Sequence, residues 1–282
     1  MVVKLGNLAY FIPIVAGVLV TVILYFFFKD KSEKAKRNLI IFLLFFNLTL
    51  HFAKLLFPPY NSNFPNSFRH ITFENICAVS TLLFPWLFLT KHRIFKDYIF
   101  YIGLLGGVAA LVFPTEALNK ALFTFDVLRF YTTHLILLIG PLLMVIFKLH
   151  TLNYKKIYQA ILMLLGVLVV IMLNEIMLSF FDLSDITRLL HRNYRNNSFV
   201  YGPTPEFDAF AETFFVPFVP KFLRTNYFDL PVDQFYFPVL WIIFPAFIYF
   251  TPIFLLFSLP FTSKDIKHDL QKLFKREKAP AH

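Results

Sequence analysis

The chain has 282 residues, of which 58% are hydrophobic and 20% aromatic, whereas only 16% are charged. A soluble domain carries about a quarter charged residues, so this composition excludes an ordinary soluble protein. The net charge of +10 does not indicate nucleic-acid binding, because the basic residues lie between long apolar runs. The single cysteine, Cys77, excludes an internal disulfide and a multi-cysteine metal site, and we expect neither a metal nor another cofactor.

Long apolar runs divide the chain into predicted membrane-spanning helices. Crossing a hydrocarbon core of about 30 Å takes roughly 18 or more apolar residues. Backbone groups in lipid must be hydrogen-bonded within their own segment, and strand-like alternation is absent, so each run is expected to be helical. We predict an all-α polytopic membrane bundle of about seven helices, at residues 8–28, 38–57, 73–90, 98–114, 127–147, 157–180 and 236–259. The first run is too long for a signal-peptide core and is predicted to be retained.

Basic residues are concentrated in alternate loops. Lysine and arginine cluster in segments 29–38, 91–97 and 148–156 and in the tail after Pro260. The short segments on the opposite side hold only Lys4, Arg69 and Lys120. The positive-inside rule therefore places the N-terminus outside and the C-terminus in the cytoplasm. We expect a transmembrane domain at 1–260 and a basic cytoplasmic tail at 261–282.

One long external loop is predicted at about 181–235. Within it, Pro205 begins a helix-like stretch that Pro217 and Pro220 end. A single apolar face is formed, at spacings of three and four, by Phe207, Phe210, Phe214 and Phe218. This stretch, 205–216, is either a short helix on the outer membrane surface or a loop packed on the helix ends.

Polar residues inside the predicted helices are the most informative feature, because ionisable groups in a membrane usually face a cavity or the bundle interior. They are His51, Lys54, Glu74, Asn75, Cys77, Arg129, His134, Asn174 and Glu175. With a rise of 1.5 Å per residue, the deeper members lie within about 3–12 Å of the outer helix ends. The inner halves of the same helices read as almost purely apolar. We therefore expect an outward-opening polar layer shared by four helices.

Each of these residues also has a purely structural interpretation. Lys54 and Arg129 can extend to the membrane interface, and Glu74 and Asn75 can cap a helix. Asn174 can form a hydrogen bond between helices. The two histidines, His51 and His134, can be buried structural residues, and Cys77 can be inert packing.

The catalytic interpretation rests on two of them. A thiol becomes a nucleophile beside a base, and histidine is the usual one, so Cys77 and His134 at matching depth can form such a pair. Glu175 can orient the imidazole. Asn75 and Asn174 are oxyanion-donor candidates by residue type. In a membrane the acyl donor would be a lipid ester.

Several stretches resemble a known family. The segment Phe73-Glu-Asn-Ile-Cys77-Ala-Val-Ser80 is similar to the helix of YwaF-like proteins that carries a Leu-His-Leu-Cys core. The segment Leu128-Arg-Phe-Tyr-Thr-Thr-His134 resembles that family's aromatic-rich helix with a central histidine. Between them, Tyr101-Ile-Gly-Leu-Leu-Gly-Gly-Val108 resembles its glycine-containing helix. The likeness extends from about residue 38 onward and includes the helix count.

The family includes the animal transmembrane protein 164 group, regarded as phospholipid acyltransferases in which a cysteine holds the acyl group. The resemblance implies that Cys77 is the nucleophile, that His134 assists it, and that membrane phospholipids are the partners of a multi-pass protein of the cell membrane. Asn75 stands where the family has a histidine, and Ala78 where a polar residue often follows the cysteine. His51 is a possible substitute for the missing histidine.

Two other functions remain open. Intramembrane His, Lys, Glu and Arg also suit a transporter or channel, although such a path must cross the whole membrane. A non-catalytic protein that binds lipid or a partner through its outer loop is the other alternative.

Overall fold

The fold is an all-helical bundle. The computed structural model describes residues 1–63, 66–196, 198–232 and 234–277, with side chains up to residue 272, and this part of the chain contains no strand beyond an isolated bridge between Val2 and Ala121. Its α-helices are α1 (Leu8–Phe28), α2 (Glu33–Ala53), α3 (Ile76–Leu89), α4 (Arg93–Val112), α5 (Phe125–Ile146), α6 (Ile157–Ser179), α7 (Asp208–Phe214) and α8 (Ile243–Glu277). The predicted class, an all-α polytopic membrane bundle, is confirmed.

Six helices of the described chain are long and apolar enough to cross a membrane, namely α1, α2, α4, α5, α6 and α8. The helix α3 is apolar but has 14 residues. At 1.5 Å per residue it spans about 21 Å, which is less than the hydrocarbon thickness. A seventh span and the orientation of the termini therefore stay predictions.

Capping side chains set the starts of α2 and α3, which differ from the starts predicted from hydropathy. The side chain of Ser32 accepts a hydrogen bond from Ala35 N, so α2 begins at Glu33 rather than at 38. Asn75 likewise accepts one from Ala78 N, and α3 begins at Ile76 rather than at 73. Capping satisfies backbone N–H groups that have no partner within the helix, which is why polar residues fix these starts.

The helix α8 extends much further than predicted. It continues past Pro260 to Glu277, so most of the predicted basic tail is helical, and residues 278–282 lie outside the described part. The carboxylate of Asp269 lies 2.5 Å from both Lys155 Nζ and the Tyr154 hydroxyl. These contacts hold the extension against the start of α6.

Glycines allow α4 and α5 to pack closely at the centre of the bundle. A Cβ atom at Gly103 would lie 2.5 Å from the carbonyl oxygen of Leu137 and 2.6 Å from Pro141. A Cβ atom at Gly107 would lie 2.8 Å from Leu138 Cβ. By contrast, α1 packs on α5 along one narrow side and exposes most of its apolar side chains, as expected of a lipid-facing helix.

The bundle has two chemically different ends. We call the polar end the one at which α2 and α6 end and α3 and α5 begin, and the basic end the opposite one. The long loop packs onto the polar end: Ser198 Oγ accepts a hydrogen bond from Ile76 N at 3.1 Å, and Trp241 Nε1 donates to Phe199 O at 2.8 Å. The loop thereby helps to shape the surroundings of the predicted polar layer.

Candidate functional site

Cys77 lies in the first turn of α3 and is half-buried. Its Sγ lies 3.7 Å from the position that a Cβ atom on Gly106 of α4 would occupy. Because Gly106 has no side chain, the thiol packs next to the backbone of α4 at this position. Among the described residues Cys77 makes no hydrogen bond, so the thiol is not held by a structural polar contact.

His134 projects from α5 with one ring nitrogen occupied. Its Nδ1 lies 2.8 Å from the carbonyl oxygen of Phe130, and the two rings pack with centroids 4.4 Å apart. A carbonyl only accepts, so Nδ1 carries the proton and donates it. The lone pair of the neutral imidazole is then on Nε2, which is the nitrogen able to take a proton from another group.

Cys77 and His134 lie at the same level along α4. The carbonyl oxygen of His134 is 3.1 Å from the Cβ position of Gly107, the residue next to Gly106. Adjacent residues differ by about 1.5 Å along a helix axis. The thiol and the imidazole do not form a direct hydrogen bond, so the two groups share a level without being a closed pair.

At the polar end, two buried cationic side chains lie next to the ring of Tyr60, which belongs to the loop between α2 and α3. Lys54 Nζ lies 5.5 Å and the Arg129 guanidinium carbon 5.6 Å from the ring centroid of Tyr60. The ring of His70 meets Tyr60 edge-on at 5.3 Å. Burial raises the pKa of the Tyr60 hydroxyl to about 12, so the group stays protonated. We call Lys54, Tyr60 and Arg129 the Tyr60 cluster.

The two cations of this cluster are buried rather than extended to the surface. Lys54 is 5% and Arg129 8% exposed, so the interpretation as interfacial side chains is wrong. Arg129 forms an ion pair of 2.9 Å with Asp126 and lies 3.8 Å from Glu116. Asp126 also binds Lys120 at 2.8 Å. The side chain of Lys54 makes no ion pair or hydrogen bond with any described residue.

Glu74 and Asn75, just before α3, have distinct roles. The Nδ1 of His70 lies 2.9 Å from Glu74 Oε2. Burial alone would raise the pKa of the Glu74 carboxyl, but the hydrogen bond from His70 and the charges of Lys54 and Arg69 outweigh it and lower that pKa. Glu74 is therefore ionised, and Asn75 acts as the helix cap described above, which occupies its oxygen.

The two polar residues of α6, Asn174 and Glu175, contact loop residues at the polar end. Asn174 Nδ2 donates to Thr72 Oγ1 at 3.1 Å. Glu175 accepts from Ser184 Oγ at 3.4 Å and lies 3.7 Å from Arg195 Nη1. The expectation that Glu175 orients the imidazole of His134 is therefore wrong, because long-loop residues engage its carboxylate. Neither Asn75 nor Asn174 has a described contact with Cys77 that would support an oxyanion role.

His51 is buried near the Tyr60 cluster rather than beside the thiol. It is 4% exposed, and its Nε2 has no hydrogen-bond partner in the described structure. It precedes Lys54 by one helical turn, and no described contact joins it to Cys77. The structure therefore does not support His51 as a substitute for the family histidine, at whose position Asn75 stands.

A cleft of ≈ 660 Å³ opens at the polar end. Its lining includes Arg69, His70, Tyr194 and Arg195. His70 thus borders both the cleft and the Tyr60 cluster. No group of three or more His, Cys, Asp or Glu side chains placed to hold a metal ion occurs among the described residues.

Two buried polar contacts were missed by sequence reasoning. Asn47 donates to Thr81 at 3.3 Å, one turn below the predicted layer. Near the basic end, His150 Nε2 lies 2.7 Å from Asp97 Oδ1, and both side chains are buried. The inner part of the bundle is therefore less apolar than expected. Asp97 could have been found as the only acidic residue of its helix, whereas its partner depends on tertiary structure.

These features define a polytopic membrane protein whose buried, partly unpaired polar groups gather at one end of the bundle. The family model of the TMEM164 family matches residues 4–223, and the chain belongs to that family. The predicted likeness to the transmembrane protein 164 group is thereby confirmed, whereas the link to YwaF-like proteins and to acyltransferases stays a prediction. No curated protein and no solved structure gives a significant match.

Proposed function

We propose that this protein is an integral membrane acyltransferase that moves a fatty acyl group between phospholipids through a thioester on Cys77. The observation that carries the proposal is that Cys77 Sγ and the backbone carbonyl of His134 lie against neighbouring glycines of α4, so the two residues are at one level of the bundle. Family membership is consistent with it, and the acyl chemistry comes from the resemblance described above.

The steps use two side chains. His134 Nε2 takes the thiol proton, and the sulfur attacks the ester carbonyl carbon of a donor lipid. The C–O bond breaks, and the lysolipid alkoxide leaves with the proton from His134, which leaves a thioester. The hydroxyl of an acceptor lysolipid then gives its proton to His134, attacks the thioester, and releases the thiol. The hydrogen bond from Nδ1 to Phe130 favours this role, because it leaves Nε2 as the base.

Access from lipid is supported by the exposure of the site. Cys77 is only half-buried. At the polar end, Phe207, Phe210 and Phe214 are each about half exposed, which favours α7 as a helix on the membrane surface over a packed loop. We place the protein in the cell membrane with the polar end outward.

The decisive experiment is acyl transfer by the purified full-length protein in nanodiscs, from a labelled phospholipid to a lysophospholipid. Cys77→Ala should abolish both the transfer and the hydroxylamine-sensitive label on the protein, since the chain has one cysteine. Undiminished transfer by this variant would overturn the mechanism.

His134→Gln should reduce transfer by roughly 10²-fold or more, as expected for loss of a general base. The matched control is Thr133→Val, because Thr133 Oγ1 donates to the same Phe130 carbonyl at 2.9 Å without facing the chemistry. Equal losses in the two variants would show that His134 acts only by supporting the helix.

A further inference from the structure

Buried hydrogen-bond donors without acceptors collect around Tyr60. Lys54 is 5% exposed and has no ion-pair partner among the described residues. Arg129 Nε is buried and has no hydrogen-bond partner there, although its Nη2 binds Asp126. His51 Nε2, one turn before Lys54, is a buried ring nitrogen that has no hydrogen-bond partner among the described residues. Since buried polar groups are normally paired, a buried lysine without an ion pair and a guanidinium with an unpaired nitrogen at one ring require an explanation.

The neighbouring carboxylates are already engaged. Glu74 accepts from His70, and Asp126 accepts from both Lys120 and Arg129. Glu116, which is 3.8 Å from Arg129, also faces solvent. Lys54 is thus left without an ion pair: its ammonium lies over the face of Tyr60, and the charge of Glu74 attracts it from beyond ion-pair distance. Keeping such a charge out of water is costly unless an anion joins it.

We infer that the Tyr60 cluster is a binding site for a phosphate group, and that this phosphate is the one in the headgroup of the lipid substrate. A phosphate has several acceptor oxygens, which match an ammonium, a guanidinium and a protonated tyrosine hydroxyl. The assignment of the headgroup as the source of the phosphate rests on the acyltransferase function proposed above.

The spacing along α5 fits a glycerophospholipid. Arg129 precedes His134 by five residues, which is about 7.5 Å along the helix. The phosphate of a glycerophospholipid lies a few bonds from its ester carbonyls. A phosphate at the Tyr60 cluster would therefore leave an ester carbonyl at the level of Cys77 and His134. The cluster also borders the cleft through His70, which gives the rest of a headgroup room.

The test measures lipid binding to the full-length Cys77→Ala protein in detergent, so that it does not depend on catalysis. Probes are a dioleoyl phosphatidylcholine, dioleoylglycerol, which lacks the phosphate, and inorganic phosphate. The phospholipid should raise the unfolding temperature, and the diacylglycerol should not. Further substitution by Lys54→Met should weaken phospholipid binding about tenfold or more, as expected for loss of a charged hydrogen bond.

Lys54→Arg keeps the charge and should retain most of the binding, whereas Lys221→Met, which removes an exposed cation at the same end, should leave it unchanged. A response to the lipid but not to inorganic phosphate identifies the headgroup as the source. Saturable binding of inorganic phosphate that depends on Lys54 supports the phosphate site and overturns the headgroup assignment. Equal responses to phospholipid and diacylglycerol, or binding unaffected by Lys54→Met, would overturn the site itself. Binding without any acyl transfer in the wild-type protein would leave the phosphate site standing and reject the proposed catalysis.

Discussion

Two buried ionisable side chains, one near each end of the bundle, differ in whether they have a partner. At the basic end, the buried Asp97 faces His150 at 2.7 Å. At the polar end, the buried Lys54 has no carboxylate in contact within the described structure. The first arrangement stabilises the fold from within. The second arrangement leaves the ammonium of Lys54 available to a ligand. Functional groups of this kind commonly lower the stability of a fold.

The comparison separates structural polar groups from functional ones within a single bundle. Asp97 is 1% and Lys54 5% exposed, so burial does not distinguish them. What distinguishes them is that Asp97 has a hydrogen-bonded partner, His150, whereas the side chain of Lys54 has none among the described residues. A buried charge on a membrane helix is therefore a functional candidate when its complement is missing.

The largest effect on stability should come from the paired end. Asp97→Ala should lower the free energy of unfolding by about 3–5 kcal/mol, because it leaves His150 buried without its partner. Thermal unfolding of the protein in detergent measures this. Asp265→Ala, an exposed carboxylate near the same end, serves as the control and should be close to neutral. A small effect of Asp97→Ala would remove the distinction between the two ends.

A smaller effect is expected where α3 begins at the polar end. Asn75→Ala should cost about 1 kcal/mol, since the hydrogen bond to Ala78 N at 2.8 Å is lost. Asn75→Ser should restore the cap and most of the stability in the same unfolding assay. Acyl transfer that fails in both variants despite the restored cap would show that Asn75 has a chemical role, contrary to its assignment as a cap.

The smallest effect on stability should come from the unpaired cation. Lys54→Met in lipid-free detergent should leave the free energy of unfolding within about 1 kcal/mol of the wild type or raise it, because the ammonium has no ion pair to lose. Unfolding without added phospholipid is the measurement. A loss as large as that of Asp97→Ala would mean that Lys54 is part of the structural network instead.

Much of the architecture could be predicted from hydropathy alone. The long apolar runs of α1, α5 and α6 have boundaries within a few residues of the predicted ones, because membrane insertion demands about 20 apolar residues in any context. The errors fall where local capping or tertiary contacts decide. The start of α3 follows from Asn75, and the extension of α8 is held by the contacts of Asp269 with Tyr154 and Lys155, just before α6.

The sequence by itself determined the membrane helices, the set of residues at the polar end and the placing of Cys77 and His134 in one layer, since helix rise and hydropathy depend only on order along the chain. Only the tertiary structure decided which polar groups have partners. Glu175 lies near Arg195, and Glu74 accepts a hydrogen bond from His70. Lys54 lies over the ring face of Tyr60. Pairing depends on which side chains from distant segments meet, and no spacing within one helix encodes that.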